Sequence, residues 1–233
     1  MNDRSLPEVD QINIYRESSL HLGLKRWYAS LDDRLEVAVD GAIIDIVRGS
    51  QLIEIQTGNF SAIRKKLQLL LENHTVRLVH PIPATRWIVK QDQEGRVLSR
   101  RRSPKRGTLV HVFSQLVYLH DLIHYANFSM EVLMIEDEEL RINDGKGSWR
   151  RKGWSISDRI LVDVLSREHF ETSADFAALL PAELPAWFTT ADLARGLGQR
   201  RRVAQQMAYC LREMGLIEPV GKQGRAYLYS RRT

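Results

Sequence analysis

The sequence predicts an α/β chain in two units, a mixed β-sheet flanked by helices and a small helical unit closed by a β-hairpin. Three observations carry that expectation. Alternating, β-branched runs fill the first half and are punctuated by Asp-Gly and Gly-Ser turns. A segment of helical period separates two of these runs, the signature of a βαβ crossover with parallel strands and right-handed connection. The last third changes to helical periods behind Ser and Thr caps and ends on two short runs around glycines.

The 233 residues suffice for one large domain or two modest ones. A hydrophobic share of 43% and a charged share of 27% are those of an ordinary soluble globular protein. A formal charge of +5 leans mildly toward a polyanionic partner. The one cysteine, Cys210, rules out an intramolecular disulfide and a cysteine-based zinc site. The opening "MNDRSLPEVDQ" is polar and acidic, unlike a signal peptide. No apolar run approaches the roughly 20 residues of a membrane helix. The expectation is a cytoplasmic, bacterial-type protein with no membrane partner.

Taken in order, "SSLHLGLKRWYA" predicts a helix capped by Ser18, with Leu20, Leu24 and Trp27 inward. "RLEVAVD" alternates as a half-buried strand and turns at Asp40-Gly41 into a second. A third strand comes after Gly49-Ser50, and Ser61 is expected to cap a helix with Ile63, Leu67, Leu70 and Leu71 inside. Arg64, Lys65 and Lys66 are expected outside it. "TVRLVHPIP" predicts a strand stopped by its prolines, and "WIVKQDQEGRVLSRRRSPKRG" a short strand, a turn and a basic tract. Residues 108–124 look helical, and "SMEVLMIEDEELRI" reads as a strand or strand pair. The Gly- and Ser-rich "NDGKGSWRRKGWS" marks a boundary, giving units 1–148 and 149–233. The second unit is expected to hold a helix from Ser155 with Ile156, Ile160, Val164 and Leu165. Two more helices come next, "ADLARGL" capped by Thr189 or Thr190, and Arg200–Met214 with Val203, Met207, Cys210, Leu211 and Met214 inside. With a terminal hairpin around Gly221–Gly224, this is the order of a winged helix-turn-helix.

The stretch "IIDIVRGSQLIEIQTG" (Ile43–Gly58) places Asp45 and Glu54 inside buried-looking runs. A two-residue Gly49-Ser50 loop sets Arg48 against Gln51 and hence Asp45 against Glu54, with Gln56 on the face of Glu54. Like charges directly opposed destabilise a sheet, and a divalent cation on hard oxygen ligands compensates them. A register one residue off, or a solvated face, explains the same acids without any ligand.

This half resembles the PD-(D/E)XK (restriction-endonuclease-like) nucleases over roughly residues 16–82. Helix, three-strand meander, helix and strand come in that order, with Asp45 and then Glu54-Ile55-Gln56 at the motif. Eight residues separate Asp45 from Glu54. The resemblance implies Mg²⁺ (or Mn²⁺) held by Asp45, Glu54 and the Ile55 carbonyl. Gln56 stands in the usual Lys position, and Glu17 is the helix-borne acid. Gln56 orients water but supplies no charge; in other branches the Lys moves to the following helix, where Lys65 and Lys66 lie. The implied activity is metal-dependent endonucleolytic hydrolysis of DNA, with a homodimer the common form for duplex cutting.

From Thr189 to the C-terminus, nine basic residues face three acidic ones. Arg201, Arg202, Gln205, Gln206, Tyr209 and Arg212 point away from the apolar face of the presumed recognition helix, and Arg and Gln are types that read base edges. Lys222 and Arg225 in the wing suit phosphate contacts. Arg101, Arg102, Lys105 and Arg106 in the basic tract suit the backbone near the acidic pair, or form a solvated loop. His120 and His124 are four apart without a third ligand and read as structural. Two other readings stand beside the nuclease: a DNA-binding regulator with a catalytically degenerate domain, and a module whose two units bind protein.

Overall fold

The computed structural model describes residues 18–232. Ser18 caps helix α1 (Ser19–Tyr28), accepting the His21 N–H at 3.3 Å. Leu20, Leu24 and Tyr28 form the buried face, so the period continues to Tyr28 while Trp27 is left 43% exposed. Both ends of α1 are tied down. Ser19 bonds the Asp158 carboxylate, and Tyr28 donates its hydroxyl to the fully buried Glu131.

Strands β1 (Arg34–Val39), β2 (Ala42–Arg48) and β3 (Gln51–Ile55) form the antiparallel meander. Gly49 has φ +58 while Ser50 does not take positive φ, the sign pattern of a type II′ turn. Pairs Arg48↔Gln51, Val47↔Leu52 and Ile46↔Ile53 give the register read from the turn. Helix α2 (Phe60–Leu71) starts one residue before Ser61, behind a left-handed Asn59, and buries Phe60, Leu67, Leu70 and Leu71. It leads to β4 (Thr75–Gln91), parallel to β3 from Gln51↔Thr75 to Ile55↔Val79, as a crossover requires.

β4 does not stop at its prolines. The Val79 carbonyl faces β3, where it accepts the Gln56 N–H at 2.9 Å, so Pro81 and Pro83 also turn their nitrogens to that edge. β3 has ended there, and no ladder donor is missed. Further along, β5 (Val97–Arg102) pairs with the second half of β4, so the first part of the basic tract is a strand. Residues 108–124 break into two 3₁₀ turns around a one-turn helix, α3 (Phe113–Leu116). β6 (Phe128–Asn143) runs parallel to β4, and β7 (Trp154–Phe170) closes the other side antiparallel. The sheet order is β1-β2-β3-β4-β6-β7, with β5 on β4.

The helix expected from Ser155 is instead β7. Its ladder with β6 skips Ser157, Val162 and Leu165, and each extra residue shifts the alternation. A bulged strand thus imitates the four-residue spacing of Ile156, Ile160 and Val164. The large sheet runs to Phe170, well past the boundary placed at residue 148. Beyond Phe170 come α4 (Ser173–Ala177), β8 (Trp187–Phe188), α5 (Thr190–Gly196), α6 (Arg201–Glu213), β9 (Ile217–Gln223) and β10 (Ala226–Arg231). The strands make a small sheet ordered β8-β10-β9. Thr189 and Asp192 form a reciprocal capping box at α5.

Each face of the large sheet has a core. Leu20, Leu24 and Tyr28 pack with Ile46, Ile53, Ile55 and Val79 under α1. On the other face one continuous cluster joins Leu67 of α2, Phe113 and Leu116, and Phe176, Phe188, Met207 and Leu211 of the C-terminal unit. Phe113 meets Phe176 edge-on at 6.1 Å between centroids. No helix among the described residues is long and apolar enough to cross a membrane. Because the C-terminal unit has no separate core, Phe113→Ala is expected to cost about 3–5 kcal/mol. Denaturation followed by far-UV and tryptophan signals should show one shared transition, shifted as a whole; two separate transitions would contradict the common core.

Candidate active site and nucleic-acid interface

The ladder between β2 and β3 ends at Ile46↔Ile53, and Asp45 takes over where it stops. Its Oδ2 accepts the Ile55 N–H at 2.8 Å and lies 3.1 Å from His21 Nε2 on α1. Because the Gln56 N–H points to β4, the N–H and C=O of Ile55 point to the β2 side, into the gap beside Asp45. Glu54, buried at 5% exposure, faces α2, where Lys66 Nζ stands 2.6 Å from Oε1. At that distance the ammonium and the carboxylate form a close ion pair. Lys66 also donates to the Ile43 carbonyl at 2.5 Å. It is therefore drawn into the site rather than left outside.

Asp45 and Glu54 are therefore not the directly opposed pair that the turn register predicts: the ladder stops at Ile46↔Ile53, and the two carboxylates lean to α1 and α2 on opposite faces of the sheet. Burial opposes ionisation of Asp45, yet the His21 hydrogen bond and charge, the Ile55 N–H and Lys25 together hold its carboxyl below the ordinary range. Burial, and then the Asp45 charge, push Glu54 up to about 7, against the pull of Lys66. The α1 residues that complete this corner were not singled out from the sequence. His21 and Lys25 sit one turn apart among the apolar positions of the helix, and that interruption was the available signal. Lys25 Nζ lies 2.5 Å from Glu36 Oε1, and ladder pairs Leu35↔Ile46 and Val37↔Ile44 bracket Glu36 and Asp45.

Gln56 does not point its amide at either carboxylate in this structure. Its Nε2 donates to the Gly58 carbonyl, and its own carbonyl accepts from His80 Nδ1 at 2.7 Å. Glu17 lies outside the described residues. Among the described residues no group of three or more His, Cys, Asp and Glu side chains gathers as a metal cluster. The oxygens suited to a hard cation are the two carboxylates and the Ile55 carbonyl, and Glu54 Oε1 already meets the Lys66 ammonium at 2.6 Å.

The predicted nucleic-acid residues fall in two places. On α6, Arg201, Arg202, Gln205, Tyr209 and Arg212 are exposed and Gln206 is half-buried, while Lys222 and Arg225 flank the β9–β10 turn. A groove lined by Arg201, Gln205, Tyr209, Arg212, Arg225 and Tyr227 separates helix from hairpin. Tyr209 is partly engaged, its hydroxyl 3.2 Å from His120 Nε2, and Arg212 pairs with Glu213. Arg101 and Arg102 lie on β5, with Arg102 bonded to Thr85, and Lys105 and Arg106 come next, exposed.

The fold and its charged groups define a mixed α/β protein with an acidic pair at a strand end beside a basic C-terminal unit. Residues 18–171 match the family described as Domain of unknown function (DUF8091), and the chain belongs to that family. It is also similar to an uncharacterized protein of Treponema pallidum (strain Nichols), 34% identical over 220 residues that cover 94% of this chain and 86% of that protein. No solved structure gives a significant match.

His80 beside the site carries a pH consequence. Burial pushes its imidazole down to about 4 from an ordinary 6.5, against the Gln56 carbonyl, which favours the proton. The unfolded chain therefore protonates first as pH falls, and folding loses on the order of 3 kcal/mol between pH 6.5 and 4. Urea midpoints across that range should show the loss for the wild type and a shallower one for His80→Asn; parallel curves would refute it.

Proposed function

We propose that this protein is a metal-dependent DNA endonuclease of the PD-(D/E)XK type, carried to DNA by a winged-helix unit formed by α4, α5, α6 and the β9–β10 hairpin. The observation that carries the reading is the Asp45/Glu54 pair at the opening of the β2–β3 ladder with the Lys66 ammonium 2.6 Å from Glu54. A sheet core has no structural need for two adjoining carboxylates; a charge-stabilising phosphodiester site does.

In this reading Asp45, Glu54 and the Ile55 carbonyl hold Mg²⁺ or Mn²⁺. The ion supplies Lewis-acid polarisation of a phosphate oxygen. His21 orients Asp45 through Oδ2, and among the described residues no hydrogen bond reaches Oδ1. Lys66 provides the positive charge that Gln56, in the usual Lys position, lacks. Gln56, with its amide turned to Gly58, holds the strand end and His80 rather than the nucleophile. The rival reading, a DNA-binding regulator with a degenerate catalytic domain, draws on that same amide and on Glu54, whose carboxyl burial pushes up to about 7 even beside Lys66.

Plasmid and single-stranded DNA incubated with Mg²⁺, Mn²⁺ or EDTA separate the two readings. The expected outcome is metal-dependent cutting, lowered roughly 100-fold or more by Asp45→Ala and by Glu54→Ala. Lys66→Ala should lower the rate by about the same order while Lys65→Ala changes little. DNA binding without cutting in every metal would favour the regulator.

A further inference from the structure

We infer that Lys105-Arg106 and the arginines opening α6 form one continuous cationic track that holds a nucleic-acid duplex against the acidic site; this rests on the nuclease reading above. Three contacts assemble it. After β3 ends at Ile55, opposite Val79, the same edge of β4 is taken by the Gly107 N–H on the Pro83 carbonyl and the Ser103 N–H on the Arg86 carbonyl, each at 2.8 Å. Pro83 is four residues beyond Val79, about 13 Å along the strand. The Gln199 amide then donates to Thr108 Oγ1 at 3.3 Å, setting Arg200, Arg201 and Arg202 next to the end of that stretch.

The track shares a face with Glu54. Glu54 meets Lys66 on α2, and α2, residues 109–124 and α6 bury one common core on that side of the sheet. Arg64 of α2 bonds the Asp121 carboxylate, and Tyr209 of α6 bonds His120, so the three are locked together. The stretch itself is held close: a Cβ on Gly107 would come within 2.5 Å of the Pro83 oxygen, and buried Ser103 accepts the Lys105 N–H. The backbone that carries its cations is held in place before any ligand arrives.

The charge pattern selects the partner. Arg64, Arg86 and Arg100 of the neighbouring elements each pair with a carboxylate. Lys105, Arg106, Arg200, Arg201 and Arg202 are exposed and have no carboxylate within ion-pair distance among the described residues. Phosphate is the anion that a row of unpaired, exposed cations takes. Single-strand binders place aromatic rings along the cationic groove for stacking; the ledge 103–108 carries none, and the rings nearest the track, Tyr209 and Tyr227, lie in the groove between α6 and the hairpin, with Tyr209 held by His120. An exposed helix face beside a cationic ledge suits a duplex, the helix at a groove and the ledge on a backbone.

The test measures duplex binding in EDTA, so that it stands apart from cleavage. Affinity of the full chain for a labelled duplex, and for one of its strands, is followed from 50 to 300 mM salt. Lys105→Ala/Arg106→Ala and Arg201→Ala/Arg202→Ala are each expected to flatten the log–log salt slope by roughly 1.8, and the four-fold variant by the sum. Unchanged thermal melts are expected for these exposed positions. A Lys105/Arg106 variant with the wild-type slope would overturn the track, as would tighter binding of the single strand. Should no metal support cutting while these slopes still fall, the catalytic reading fails and the duplex track survives.

Discussion

The free edge of β4 between Val79 and Arg86 is the constraint on which the rest depends. Pro81 and Pro83 have no N–H, so this edge cannot continue the ladder that β3 begins. β3 therefore stops at Ile55, and the next strand to use the edge, β5, begins only at Trp87↔Arg102. The interval is bridged by single backbone bonds from Gly107 and Ser103 rather than by a strand. A chain interrupted there ends β3 early and lays the stretch 103–107 along the next part of the edge. Two prolines with no hydrogen to donate thus mark where β3 ends and where the stretch 103–107 takes over the edge.

The acidic corner is held by division of labour between the helices. Asp45 is kept ionised by α1 and by a backbone donor, while Glu54 is buried toward α2 and resists ionisation next to it. Carboxylates driven apart in this way can coexist, because only one need be charged at a time. Lys66 moderates the second without neutralising it. Burying such a set costs more than an apolar core of the same volume would, so its persistence in a strand that is otherwise Ile and Leu argues for use rather than stability. The ties on α1 at Asp158 and Glu131 serve the same end, since His21 can orient Asp45 only if the helix does not slide.

The meander, its type II′ turn and the parallel crossover were legible because each rests on local chemistry: Gly at positive φ, β-branched runs, an amphipathic helix. Asp45 and Glu54 were legible for the same reason, as polar residues at fixed offsets from a turn. Two kinds of information were not. β7 carries bulges, and a bulge erases the two-residue period that identifies a strand, which is why Ile156, Ile160 and Val164 read as a helix. Positions decided by distant contacts were also hidden. Trp27 and Tyr28 are both aromatic, and only the packing of α1 selects which is buried. Lys66 reads as one of three surface cations until the sheet places Glu54 beneath it.

The shared core has a functional corollary. A binding unit on a flexible linker samples many positions, and its distance from a reactive centre is a statistical quantity. In this chain α6 is packed against α3 and the flanking 3₁₀ turns, which are packed against α2, which carries Lys66 to Glu54. Each link is either apolar burial or an ion pair, and none is a stretch of free chain. The position of the helix relative to the acidic pair is therefore a property of the folded core. The family match ends at residue 171, yet the likeness to the Treponema pallidum protein continues across 94% of the chain.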